Sequence, residues 1–220
     1  MSPRRLYEEE LKQLQESVEE MGMGVRATYA RLFSALQQQK ESVIEEIIAS
    51  DQSTHTLQRR IEGSCLNLIT KQQPIARDLR QVSASLKVVT DISRIGDQCS
   101  DIAELVKRMN FKDLQEFSAH IPQMIEETGK QLTEAINAFV DRNAESAQHV
   151  VTGDDTVDDL FNQVKNDVIA HLRSEAKDPD DCIDVMMFAK YLEKIGDHAV
   201  NICEWEIFRE TGTIQNTKVF

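Results

Sequence analysis

The chain has few of the residues that interrupt helices or build sheets. Only eight glycines and four prolines occur in 220 residues, and aromatic residues make up 5%. Glu, Gln, Leu and Ala together make up 70 of the 220 residues, and these residues favour helices. No stretch alternates apolar and polar residues over the length of a strand. The sequence therefore predicts long helices joined by few turns.

Cysteines and long apolar runs are also scarce. The four cysteines, Cys65, Cys99, Cys182 and Cys203, form no Cys-x-x-Cys pair. A disulfide framework or a cysteine-rich zinc site is therefore not expected, and reduced thiols in the core are. Neither a signal peptide nor a run of about 18 apolar residues is visible. These absences predict a cytoplasmic protein that reaches a membrane only through its partners.

The chain is acidic, with 38 Asp and Glu residues against 25 Lys and Arg residues and a formal charge of −13. Nucleic acid is not an expected partner, because phosphate backbones are bound by basic patches. The charge is compatible with bound metal ions, with basic protein surfaces, or simply with solubility.

Apolar residues recur at steps of three and four, which is the spacing of one helix face. The pattern runs from Leu11 to Leu36, from Val43 to Ile69 and from Leu79 to Leu105. The second helix is predicted to end near Gln73 and the third to begin at Pro74, because proline disfavours helix in the residue before it and suits a first turn. Three more helices follow, roughly at 122–143, 144–174 and 179–209.

The third and sixth predicted helices carry the same motif. Residues 92–104 read Ile-Ser-Arg-Ile-Gly-Asp-Gln-Cys-Ser-Asp-Ile-Ala-Glu, and residues 192–204 read Leu-Glu-Lys-Ile-Gly-Asp-His-Ala-Val-Asn-Ile-Cys-Glu, a shift of 100 residues. The preceding helices match at a shift of 103, as Asp51 does with Asp154. Packing does not require a carboxylate to recur, whereas a binding site does. We therefore interpret the chain as one helical unit present twice, with one acidic site in each copy.

These patterns predict an all-α fold of six helices, arranged as two tandem antiparallel three-helix bundles related by internal duplication. The first repeat is assigned to residues 1–112 and the second to residues 113–210. A flexible C-terminal tail is assigned to residues 211–220.

The second and third helices of each repeat carry polar residues four positions apart, on one helix face. Counted from the turn that joins the two helices, both sets lie at the same level. Converging carboxylates repel unless they are protonated or bind cations, and oxygen ligands with some imidazole suit iron, manganese, magnesium or zinc. The predicted metal ligands are Asp51, His55, Asp97 and Asp101 in the first repeat and Asp154, Asp158, Glu193, Asp197 and Asn201 in the second.

The first site departs from the acidic pattern. Ser93 stands where the second repeat has Glu193, and serine is a poor metal ligand, so this site is expected to bind fewer ions or to bind them less tightly. An ordinary solvated acidic helix face is the alternative. No Glu-x-x-His pair, His-Glu-x-x-His motif or phosphate-binding glycine loop is present. A protein adaptor, a metalloenzyme such as a hydrolase, and a scaffold with incidental metal binding all remain open.

Three segments carry a resemblance to a known family. They are Pro74–Arg80 (Pro-Ile-Ala-Arg-Asp-Leu-Arg), Leu86–Asp97, which ends in Arg-Ile-Gly-Asp, and Tyr191–Ile202, which contains Leu-Glu-Lys-Ile-Gly-Asp-His. Together with the duplicated six-helix plan, they resemble the PhoU family of phosphate-transport accessory regulators over nearly the whole chain.

The resemblance implies a cytoplasmic protein, often a homodimer, that negatively regulates phosphate uptake and the phosphate-starvation response. It implies an adaptor, and not an enzyme, between the ATPase subunit of the phosphate ABC importer and a phosphate-sensing histidine kinase. Some members carry metal clusters on acidic motifs. Iron is therefore the expected metal, with zinc, manganese or magnesium as alternatives, and its ligands would be the acidic residues named above. Arg80 matches the Asp-Leu-Arg of the family and is given no role beyond a partner contact.

Overall fold

The computed structural model describes residues 3–109, 114, 117–153, 155–174, 178–214 and 217–218. Two short strands, β1 (Thr213–Ile214) and β2 (Thr217–Lys218), pair antiparallel near the C-terminus. The helices bounded within these residues are α1 (Pro3–Gln38), α2 (Glu41–Gln72), α3 (Ala76–Val106), α4 (Ile121–Val140), α5 (Ala144–Thr152), α6 (Asp155–Ser174) and α7 (Pro179–Thr211).

The predicted all-α duplication is confirmed. α1, α2 and α3 form the first three-helix bundle, and α4, α7 and the pair α5–α6 form the second. The helix predicted over 144–174 is divided into α5 and α6. The N–H of Gly153 bonds to the carbonyls of His149 and Val150 and so closes α5, and glycine is common where helices end.

The turn between α2 and α3 is longer than the sequence predicts. Gln73 adopts a left-handed conformation, with φ at 47°, and its N–H bonds to the carbonyl of Ile69. Pro74 therefore lies outside the helix, and α3 begins at Ala76. In the second repeat the predicted start is correct, because Pro179 opens α7 and the Asp178 side chain caps it by accepting from the N–H of Asp180.

α3 and α7 pack against each other at the centre of the molecule, and each also packs against the helices of its own repeat. The repeated isoleucines of the motif, Ile95, Ile102, Ile195 and Ile202, are fully buried. One apolar cluster extends through both repeats. The two bundles therefore share a core, and the relative position of α3 and α7 is fixed by packing.

Gly96 and Gly196, the glycines of the Ile-Gly-Asp motifs, allow α2 to approach α3 and α6 to approach α7. A Cβ at Gly96 would lie 3.4 Å from Cγ2 of Thr54 on α2, and a Cβ at Gly196 would lie 3.4 Å from Cγ1 of Val157 on α6. Thr54 and Val157 are equivalent at the shift of 103 residues. The same close approach therefore occurs in both repeats, and it brings the polar residues that follow Thr54 and Val157 beside the Asp of each motif.

Arg80 closes the C-terminal end of α7, although the sequence suggests only a partner contact for it. Its Nε donates to the carbonyl of Arg209 at 3.1 Å, and its side chain packs on Gly212. Gly212 has a positive φ of 75° and bonds through its N–H to the carbonyl of Phe208, which ends the helix. The segment 211–220, predicted to be flexible, contributes β1 and β2 beyond this point.

The four thiols are buried and none forms a disulfide, as predicted. Burial raises the pKa of Cys65 and of Cys99 to about 12, so these thiols are poor nucleophiles. Among the residues that the structure describes, no helix combines the length and the apolar character that a membrane span requires.

Candidate metal centre

Three carboxylates of the second repeat converge between α6 and α7. One oxygen each from Asp158, Glu193 and Asp197 lies within 4.8 Å of the others. Asp158 is exposed, whereas Glu193 and Asp197 are half-buried. The second and third helices of this repeat therefore meet at the level that the sequence predicts, and three of its predicted ligands are brought together.

Two lysines of α7 compensate the charge of this cluster. Lys190 Nζ lies 2.6 Å from Oε2 of Glu193, and Lys194 is bonded to Asp197 and lies 3.4 Å from Glu193. The bond to Asp197 raises the pKa of Lys194. A cation that entered the cluster would have to displace these ammonium groups, which sit on flexible and partly exposed side chains.

The donor set of this site fits a hard divalent cation. Three carboxylate oxygens at short mutual distances, with access from solvent on the Asp158 side, suit magnesium, manganese or ferrous iron, which take oxygen ligands and retain water. Like charges held this close repel unless a cation lies between them, and in this structure the lysine ammonium groups supply that positive charge.

In the first repeat, His55 takes the place of Asp158 and bridges two residues of α3. Its Nε2 lies 3.2 Å from Oδ1 of Asp97, and its Nδ1 lies 3.2 Å from Oγ of Ser93. Arg94 donates to the other oxygen of Asp97 at 3.0 Å. Among the side chains that the structure describes, this site brings together one imidazole and one carboxylate, whereas the second brings together three carboxylates.

Two predicted ligands are not tested by the geometry. Asp51 lies on α2, one turn before His55, and its side chain is outside the described part of the structure. Asp154 lies outside the described residues altogether.

Asp101 and Asn201, which lie four positions after Asp97 and Asp197, take part in the interface between the repeats. Asn201 donates through Nδ2 to Oδ1 of Asp91 on α3 at 3.1 Å, and His198 Nδ1 lies 2.9 Å from the same oxygen. In the first repeat Asp101 lies close enough to Tyr191 on α7 for its charge to help raise the pKa of that phenol, after burial as the main cause. The sequence pattern alone does not separate Asp101 and Asn201 from the metal site.

Asp91 is not among the residues that the sequence pattern predicts for the site. It is mostly buried and accepts hydrogen bonds from two side chains of the other repeat. Its counterpart at the shift of 100 residues is Tyr191, so a search for recurring acidic residues passes over it. The exchange of Asp for Tyr between the two copies at this position is a signal that could mark the interface.

The two repeats match one family model twice. The model described as the PhoU domain matches residues 18–106 and again residues 121–205. The chain belongs to the PhoU family. Each match spans the three helices of one repeat, including its Ile-Gly-Asp motif, so the duplication seen in the sequence and in the structure is a duplication of the PhoU domain.

Known PhoU proteins are similar along most of the chain. The phosphate-specific transport system accessory protein PhoU homolog of Clostridium acetobutylicum is 32% identical over 210 residues, which cover 95% of this chain and 96% of that protein. The crystal structure of PhoU from Pseudomonas aeruginosa superposes with a TM-score of 0.84 at 25% identity and covers 94% of this chain and 100% of that one. The PhoU of Streptococcus pneumoniae has the same fold, with a TM-score of 0.85 at 24% identity.

Proposed function

We propose that this PhoU protein is a cytoplasmic negative regulator of phosphate uptake and of the phosphate-starvation response. It acts as an adaptor between the ATPase subunit of the phosphate ABC importer and a phosphate-sensing histidine kinase, and it forms a homodimer. The observation that carries the proposal is the double match to the PhoU domain over both repeats. The name of the Clostridium acetobutylicum relative, an accessory protein of the phosphate-specific transport system, supports the same role.

The site favours an adaptor over the alternative of a metalloenzyme. Three of the surface clefts, of about 340 to 360 Å³ each, are lined by residues other than Asp158, Glu193 and Asp197. Substrate pockets bury most of a ligand, whereas this cluster lies on a partly exposed helix surface. Hydrolysis of phosphate esters by the metal-loaded protein above the rate of the free metal would instead support the enzyme.

Metal binding is the second part of the proposal. Asp158, Glu193 and Asp197 hold the principal ion, and His55 and Asp97, with Asp51, hold a weaker one. Iron is the expected metal, with zinc, manganese or magnesium as alternatives. When bound, the ions would neutralise the carboxylates and release Lys190 and Lys194 to solvent, which alters the charge of the surface that partners meet.

Asp197→Asn is expected to remove more bound metal than Asp97→Asn. The first change takes one of three converging carboxylates, whereas the second acts at a site whose other described donor is His55. The measurement is the metal content per chain by mass spectrometry after reconstitution and gel filtration. Asp159→Asn, an exposed residue beside Asp158 outside the cluster, is the control for loss of one charge. Equal loss in the two site variants would contradict the asymmetry.

The regulatory role is tested by deleting the gene in its source organism and measuring a phosphate-starvation reporter in phosphate-rich medium. The expected result is high reporter activity, which a plasmid copy of the wild-type gene lowers again. Complementation with Asp197→Asn and with Asp159→Asn then asks whether metal binding is needed for repression. An unchanged reporter in the deletion strain would show that the protein does not repress this response.

The adaptor role is tested separately by co-purification. The purified protein is expected to associate with the importer ATPase or with the cytoplasmic part of the kinase in at least one nucleotide or metal state. Sedimentation at a series of concentrations measures the proposed homodimer. Absence of both partners from every purification would leave the family membership standing and remove the adaptor.

A further inference from the structure

One surface stripe on α6 and one on α7 meet at the carboxylate cluster. On α6 the stripe passes through Asp158, Phe161 and Lys165, and on α7 through Lys194 and Lys190, all at steps of three or four residues. The stripes are in contact, because Lys190 Nζ lies 5.2 Å from the centre of the Phe161 ring. Followed away from the cluster, both stripes run toward the connection between Ser174 and Pro179.

Toward that connection the stripes become apolar and remain exposed. The α6 stripe continues through Ile169 and Leu172, which are 36% and 45% exposed. The α7 stripe continues through Met187 and Ile183, which are 40% and 60% exposed. We call these four residues the α6–α7 apolar strip. Half of the large apolar side chains that the structure shows exposed lie in it, and exposed apolar groups in one place mark an interaction surface more often than scattered ones do.

The first repeat serves as an internal comparison. At the shift of 100 residues, Ile183 corresponds to Ser83 and Met187 to Lys87. Both copies have the same helices at this place, so the fold does not demand apolar residues there. The apolar character of the α7 stripe is a property of the second repeat alone and calls for a separate cause.

The charge of the chain is divided unequally between the repeats. Residues 1–112 contain 16 basic and 16 acidic residues, whereas residues 113–220 contain 9 basic and 22 acidic ones. The whole formal charge of −13 therefore belongs to the second part of the chain. Asp178, Asp180 and Asp181 lie exposed at the start of α7, and Asp180 precedes Ile183 by about one helical turn. Acidic residues therefore border the strip at the end nearest the connection, whereas Lys165 and Lys190 lie at its other end.

We propose that the α6–α7 apolar strip, with its acidic border, docks a basic amphipathic helix of a partner protein. Leu-like side chains of such a helix would cover Ile169, Leu172, Ile183 and Met187, and its Lys or Arg residues would face Asp180 and Asp181. Helices with one apolar face are recognised by apolar grooves in this way, and charge complementarity selects the basic partner. A second copy docked at the strip would bring two acidic surfaces together, so the homodimer proposed above would use another surface, and anionic lipid would be repelled.

The surface is tested with a model peptide, in the presence of a chelator so that the result does not depend on metal. The probe is a fluorescent amphipathic peptide of Leu and Lys about 18 residues long, enough for about five helical turns. A peptide with Glu in place of Lys is the comparison. Fluorescence anisotropy is expected to show binding of the Lys peptide only, and a photoreactive group on it should cross-link to α6 or α7.

Variants of the strip separate the two contributions. Ile183→Ser with Met187→Ser is expected to weaken binding about tenfold through loss of apolar area. Asp180→Asn with Asp181→Asn is expected to weaken it less and to reduce its dependence on salt. Leu66→Ser is the matched control, because Leu66 is 54% exposed at the position of the first repeat that corresponds to Ile169. Circular dichroism confirms that each variant is folded.

Four results would overturn this inference. Equal binding by the wild type and by the Ile183/Met187 variant would place the peptide elsewhere, as would cross-links confined to α1–α3. Self-association of the protein that is lost in the same variant would show that a second copy covers the strip. Binding to neutral vesicles that depends on the strip would identify a lipid surface as the occupant.

Discussion

Replacement of Arg209 by Leu is expected to lower the free energy of unfolding by about 3–5 kcal/mol at pH 8, because it leaves a buried carboxylate without its cation. Glu206 is fully buried, and its Oε2 lies 2.5 Å from Nη2 of Arg209. The same guanidinium donates to the carbonyl of Phe139 at 2.9 Å and lies 4.5 Å from the centre of that ring. The change therefore also removes the contact that joins the ends of α4 and α7.

The effect is expected to depend on pH. Burial raises the pKa of Glu206 from its usual 4.5 to about 7, with Arg209 acting in the opposite direction. The folded state thus binds a proton that the unfolded state releases between about pH 4.5 and pH 7. Protonated Glu206 contributes fully to the free energy of unfolding below about pH 4.5, and this contribution is lost as the pH rises to 7. The free energy of unfolding of the wild type is expected to fall by about 3 kcal/mol over this range. Below pH 5 the loss in Arg209→Leu is therefore expected to be smaller.

Denaturant unfolding of four proteins at pH 5 and pH 8 measures this prediction. They are the wild type, Arg209→Leu, Glu206→Gln and the double variant Glu206→Gln/Arg209→Leu. Glu206→Gln should flatten the dependence of stability on pH between 4.5 and 7. The double variant should be more stable at pH 8 than Arg209→Leu, because no buried charge is then left without a partner. If Arg209→Leu lost the same stability at pH 5 as at pH 8, the buried Glu206 carboxylate left without its cation would not be the cause.

The fold follows from the sequence because several local signals agree. Apolar residues at helical spacing, low glycine content and the Asp178-Pro179 turn each predict the element that the structure contains, and the duplication lets one repeat confirm the other. The errors occur where local conformation overrides the pattern. The left-handed Gln73 delays the start of α3, and Gly153 divides the predicted helix 144–174. Neither the left-handed Gln73 nor the helix break at Gly153 changes the spacing of apolar residues on which the prediction rests.

The site is predictable only in part, because four residues advance a helix by slightly more than one full turn. Residues four apart differ by about 40° around the axis, which is enough to direct Asp197 toward α6 and Asn201 toward Asp91 on α3. The sequence shows that a polar residue recurs but not which neighbouring helix it faces. The sequence likewise does not show that Glu206 and Arg209 face the core. At a spacing of three residues they look like an ordinary surface ion pair, although both are buried.

Replacement of Gly196 by Val is expected to destabilise the fold and to open the carboxylate cluster. A Cβ at this position would lie 2.9 Å from Oε1 of Gln131 on α4 and 3.4 Å from Cγ1 of Val157 on α6. Gln131 is buried, so its displacement strains the core, and overpacking of this kind costs about 1–3 kcal/mol. The movement of α6 away from α7 would carry Asp158 away from Glu193 and Asp197.

Gly63→Val provides the control for the change of residue itself. Gly63 also lies within a helix, on α2, but a Cβ there would meet no atom within 4 Å. Its substitution is expected to leave stability unchanged or to raise it slightly, because valine has a higher helix propensity than glycine.

Thermal unfolding and metal content per chain are measured for both variants. Gly196→Val should lose stability and metal together, since both depend on the same approach of α6 to α7. A Gly196→Val protein that is destabilised but keeps the metal content of the wild type would show that close packing at the motif glycine serves the core and not the site.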